Sequence, residues 1–169
     1  MSASSSPSNR ENLSLAQRLG ELTVIVVQVL LFGFFWLHQS MHTGFFTAGF
    51  GTRAAICLFA PIVVSLAPPA VRALTGRRNP ARPLEAAANL SLALGTLYLL
   101  IAFPLDFAHL ADVFSPSLRF LLSWITDDVA RIVMILQVIF MPISAAANLW
   151  QYVRTRRRTP TEPSRPKMA

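Results

Sequence analysis

The chain has 169 residues, of which 53% are hydrophobic and only 14% charged, with a formal net charge of +7. The apolar residues come in long uncharged blocks, which excludes an ordinary soluble domain and points to a chain built for a bilayer. A lone cysteine, Cys57, excludes a disulfide framework, a Cys-x-x-Cys redox pair and a thiolate zinc site.

The opening "MSASSSPSNREN" is Ser-rich and has too little apolar content to bury, so residues 1–20 are expected to form a disordered cytoplasmic tail. The apolar run 22–40 follows Glu21. It is too long for the apolar region of a cleaved secretory signal and no Ala-x-Ala site follows it, so it reads as an uncleaved membrane helix. Three further runs lie between flanking charges at 54–72, 86–105 and 131–153. Each is close to the roughly 20 residues that a helix needs to cross the hydrocarbon. The expected fold is therefore an all-α integral membrane protein, a four-transmembrane-helix bundle in one domain, 21–153. A β-barrel is excluded, because runs such as "VIVVQVLLFGFFWL" lack the alternation of barrel strands. The closing segment 154–169 is expected to be a second disordered tail, basic and cytoplasmic.

Orientation follows from the basic residues. With both termini cytoplasmic, all 15 Lys and Arg except Arg53, Arg119 and Arg131 fall inside, a strong positive-inside bias. The four aspartates (Asp106, Asp112, Asp127, Asp128) and the three histidines then gather at the outer face. The basic segments should attract anionic lipid headgroups, at about 1 kcal/mol per basic residue. No aromatic-interleaved basic surface accompanies them, which argues against nucleic acid as a partner. The Ala, Arg and Pro usage fits a bacterial cytoplasmic (inner) membrane.

Candidate chemistry concentrates in two stretches. In "FFWLHQSMHTGFF", His38 and His42 would share one helix face if the first helix continued past Met41, a geometry in which two imidazoles can bind one metal. In "FPLDFAHLAD", Asp106, His109 and Asp112 recur every three residues, so a helical turn after Pro104 would bring them to one side. If the two helix ends are neighbours, this set suits zinc or another borderline divalent cation. Haem across the bilayer is disfavoured, since no histidine lies deeper than His38. The competing reading is that these groups are solvated at a helix end or paired with Arg53, Arg119 or Arg131.

Inside the spans the polar residues are uncharged. Gln28 and Gln137 lie deep enough to hydrogen-bond across helices, and Asn89 and Asn148 in the cytoplasmic half could do the same. Ala87, Ser91 and Gly95 follow a small-x-x-x-small spacing that predicts a close helix contact. Pro61 and Pro142 should kink the second and fourth spans. "GFFTAGFG", 44–51, reads as a flexible first outer loop, and "SLRFLLSW" after Pro116 as a short interfacial helix in the last outer loop. No catalytic constellation is legible. Two functions follow: a structural or accessory subunit of a larger complex or homo-oligomer, acting through helix contacts, or a metal- or cofactor-binding enzyme or transporter with its site at the histidines. A passive solute or lipid path along kinked helices is a third.

Overall fold

A computed structural model describes residues 13–158; the outer parts of the two expected tails, 1–12 and 159–169, lie outside the described residues. The described chain forms α1 (Leu15–Met41), α2 (Thr52–Ser65), α3 (Ala67–Thr75), α4 (Arg82–Ala102) and α5 (Asp127–Arg158), with 3-10 turns at Asn79–Ala81, Phe107–His109 and Pro116–Leu121. The α2 and α3 helices together make one unit, Thr52–Thr75, so four helical units are long and apolar enough to cross a membrane.

The helix ends have local causes. The α1 helix begins at Leu15, inside the segment expected as tail, because Ser14 and Gln17 form a capping box that satisfies two backbone N–H groups. At the other terminus α5 continues through Val153 to Arg158, and its run of arginines suits the negative end of the helix dipole. The α4 helix stops at Ala102 rather than 105, since Phe103 takes a left-handed φ of 37° and Pro104 follows. Between α2 and α3 the interruption falls at Leu66, just before Pro68 and Pro69 in the first turn of α3, which lack the N–H groups that the last α2 carbonyls would need. Pro61 and Pro142 lie within α2 and α5.

The α4 helix is central, with α2 on one side and α5 on the other, while α1 packs on α3 and along α2. The buried face of α4 carries Ala86, Ala88, Ala93, Gly95, Thr96 and Leu99. These small residues let backbones approach closely. A Cβ at Gly95 would overlap the carbonyl oxygen of Cys57 and lie 2.9 Å from Pro61 Cγ. Ala87 is turned outward and Ser91 is half-buried, so the close stripe runs through Ala88 and Gly95, two helical turns apart, rather than through Ala87 and Ser91.

One end of the bundle gathers the N-terminus of α1, the C-terminus of α3, the N-terminus of α4 and the C-terminus of α5. Leu13 N donates to Gly76 O at 2.8 Å, and Arg18 donates to Ala73 O at 2.8 and 2.6 Å, satisfying carbonyls at the end of α3. Arg82 reaches Thr155 Oγ1 at 3.0 Å, joining α4 to α5.

The opposite end is closed by aromatic rings. The 44–51 segment, expected as a flexible loop, is instead a folded strap. Phe45 is fully buried, 5.3 Å from the Phe107 ring and 4.9 Å from Phe46. Asp106 N donates to Phe45 O at 2.8 Å and Thr47 N to Pro104 O at 3.1 Å, pairing the strap with the chain leaving α4. Burial of the phenylalanine outweighs the glycine content that made the segment look loose. Gly44 is needed there: its φ is +96°, and a Cβ would meet the His109 ring at 3.1 Å.

Candidate functional site

His38 stands in the last turn of α1 with 1% of its surface exposed. Its Nε2 lies 3.1 Å from Leu110 O and its Nδ1 2.6 Å from Thr43 Oγ1. A carbonyl can only accept, so Nε2 carries the proton and Nδ1 accepts from the Thr43 hydroxyl. The lone pair that a metal would require is thereby engaged. The ring is also packed between Phe34 and Phe45, at centroid distances of 4.7 and 4.8 Å. His38 is a clamp between α1 and the chain after α4. Replacing it with alanine leaves the buried Leu110 carbonyl and the part-buried Thr43 hydroxyl without their partner, and is expected to cost about 2–3 kcal/mol in unfolding experiments in mild detergent.

His42 does not share that face. The α1 helix ends at Met41 and His42 is its left-handed C-cap, φ 51°, exposed, with Nδ1 donating to Ser40 O at 3.2 Å. Four-residue spacing places two side chains together only while the helix continues. His42→Ala should therefore change stability by less than about 0.5 kcal/mol in the same assay.

Asp106, His109 and Asp112 do come together, because the 3-10 turn Phe107–His109 has a period of three. His109 Nδ1 donates to Asp112 Oδ2 at 2.7 Å, and Asp106 Oδ2 lies 3.9 Å from Nε2. Asp106 Oδ1 caps the turn by accepting from Ala108 N at 3.0 Å, and Asp112 Oδ1 is 3.1 Å from Arg119. The hydrogen bond between them raises the His109 pKa above 6.5 and lowers that of Asp112 below 3.8, helped for Asp112 by the Arg119 guanidinium. The His109 contribution is complete below pH 6.5 and fades as pH rises through its raised pKa. The Asp112 contribution is complete above pH 3.8 and fades as pH falls through its lowered pKa. Amide exchange across 106–112 is thus expected to be most protected between those two values, and His109→Gln should flatten the profile.

Asp106, Asp112, Asp127 and Asp128 line an open recess of about 570 Å³, with Arg119 on its wall. Asp127 Oδ1 accepts from Phe107 N at 2.9 Å, fastening the start of α5 to the turn. Among the described residues no group of three or more His, Cys, Asp or Glu is placed to hold a metal ion. The expected ligand set is divided into a buried clamp, an exposed cap and an ion-paired turn.

A polar cluster at the other end was not anticipated, because its members read as charges bounding the spans. Arg72 Nε of α3 lies 2.9 Å from Glu21 Oε1 of α1, and Arg72 NH1 lies 3.1 Å from Glu85 Oε2 of α4. Opposite charges at the same ends of three helices were the available signal. The recess beside them, about 440 Å³, is also lined by Arg78, Arg82, Asn148 and Gln151. In the interior, Gln137 of α5 bonds across to α4: Thr96 Oγ1 donates to Gln137 Oε1 at 3.4 Å. Gln28 Oε1 is buried with no hydrogen-bond partner among the described residues. Asn89 is half-buried on α4.

Comparison of the chain with protein-family models, curated proteins and solved structures found no match.

Proposed function

We propose that this is a four-span protein of a bacterial cytoplasmic membrane, with both termini cytoplasmic, serving as a structural or accessory subunit through helix contacts with itself or a larger complex. The observation that carries the reading is the use of its polar side chains. His38, Arg18, Arg72, Arg82 and Asp127 each fasten one element of this chain to another. The remaining surface is largely apolar: over its 27 residues α1 buries only His38. Such a surface suits lipid and neighbouring helices.

Several features support the orientation. Arg18, Arg72, Arg78 and Arg82 lie at the end where α5 terminates in its arginine run, as positive-inside sorting requires. At the far end Leu118, Phe120, Leu121 and Trp124 are exposed around the 3-10 turn Pro116–Leu121, a composition suited to lying in the bilayer interface.

The test is purification from the native membrane in mild detergent, with measurement of particle mass, co-purifying subunits and bound metal, beside the double variant His42→Ala, His109→Ala. A stoichiometric assembly that survives the double substitution is expected. A lone monomer would overturn the accessory reading, and a near-stoichiometric metal lost in the variant would move the function to the histidine end.

A further inference from the structure

The four helical units, with Phe45, Leu105 and Phe107 at one end, line a partly open cavity of about 270 Å³ that neither the clamps nor the proposed subunit role uses. Its walls are mainly apolar, with Leu31 and Phe35 from α1, Leu58 and Ile62 from α2, Leu99 from α4 and Met134 from α5. The polar side chains on the wall besides Cys57 are Thr96 and Gln137. Thr96 is 6% exposed and spends its hydroxyl proton on Gln137 Oε1. In this arrangement the amide turns its oxygen toward Thr96 and its NH2 group away from it. The carboxamide oxygen is then occupied, whereas no acceptor among the described residues pairs with Gln137 Nε2, which carries two N–H donors.

A donor held among apolar walls defines its complement. A well-formed apolar cavity with a few convergent polar groups is the usual form of a small-molecule site, and this one is slightly smaller than the range of about 300–1,000 Å³ found for such pockets. An ordered water there would have fewer polar neighbours than the three or so it prefers. The ligand must bring an acceptor, because the donors are on the protein. Its body must be apolar and compact, because the walls are leucine, isoleucine, phenylalanine and methionine. It must also dissolve in the bilayer, since the cavity lies between helices whose outer faces are apolar. We infer that the cavity binds a small bilayer-soluble carbonyl compound of the size of a single quinone ring, with the carbonyl oxygen on Gln137 Nε2. Cys57 also lines the cavity and would lie beside the ring.

The inference shares the membrane placement of the proposed function but not its partner, and its test needs only the isolated full-length chain. Equilibrium binding to the protein in mild detergent is measured for duroquinone and for durene, the same methylated ring without carbonyl oxygens. Saturable, equimolar duroquinone binding is expected, tighter than durene by about tenfold, because durene offers the amide donor no acceptor. In Gln137→Leu the preference should vanish while durene affinity holds or improves. In Leu58→Phe, which fills the cavity from α2, both ligands should be lost. Helix content by circular dichroism checks that each variant is folded. Equal affinity for the two ligands in the unaltered protein, a preference that persists without Gln137, or uptake that never saturates would each overturn the site.

Discussion

Replacing Arg72 with methionine is expected to lower stability by about 1–3 kcal/mol, between the worth of a surface ion pair and the cost of breaking a buried one. Arg72 is 18% exposed at its side chain and serves two carboxylates, Glu21 at 16% and Glu85 at 35%. A surface pair would be worth well under about 1 kcal/mol. Here the methionine would leave Glu21 and Glu85 without their shared cation. It would also free α3 from α1 and α4, since this guanidinium is where the three helices meet. Arg72→Lys should recover only part of the loss, because a compact ammonium cannot keep both the Glu85 hydrogen bond and the charge contact with Glu21 that the wider guanidinium spans. The triple variant Glu21→Gln, Arg72→Met, Glu85→Gln should be more stable than Arg72→Met alone, as it removes the stranded charges with the cation. Unfolding in mild detergent distinguishes these orders. An Arg72→Met protein as stable as the parent would mean that the cluster is solvated and holds nothing.

The bundle was legible because charge brackets each apolar run, and the helices occupy those runs with shifts at the ends that caps and prolines explain. Ser14 with Gln17 extends α1 backwards, and Phe103 with Pro104 cuts α4 short. Tertiary partners were far less legible. Gln137 was expected to hydrogen-bond across helices, but spacing named no partner for it; the side chain opposite it on α4 is Thr96. His38 and His42 share a spacing but not a helix, since α1 gives out one residue before the second of them. The strap 44–51 carries glycines that favour loops and phenylalanines that favour burial, and composition alone does not rank the two. Arg72, Glu21 and Glu85 were read singly, as boundary charges; only the return of α3 to the start of α1, where α4 then begins, makes them a cluster.

Gly95 is the position where the smallest change should do the most damage. A Cβ placed there would overlap the main-chain oxygen of Cys57, with Pro61 Cγ 2.9 Å away. A flexible side chain could swing aside, but a helical carbonyl cannot move without its helix. Gly95→Ala is therefore expected to push α2 from α4 and cost about 1–3 kcal/mol, the usual range for overpacking. Gly95→Leu should exceed that range and leave little folded protein after solubilisation. Ala87→Leu, on the outward face of the same helix, should stay within about 0.5 kcal/mol and separates crowding from any general effect of a bulkier α4. Two rescues sharpen the assignment. Cys57→Ala should not relieve Gly95→Ala, because the obstacle is the backbone oxygen and not the thiol. Pro61→Ala should relieve it only in part, by removing the ring carbon while the carbonyl stays. If Cys57→Ala were to restore full stability, the close approach of α2 and α4 at this point would be refuted.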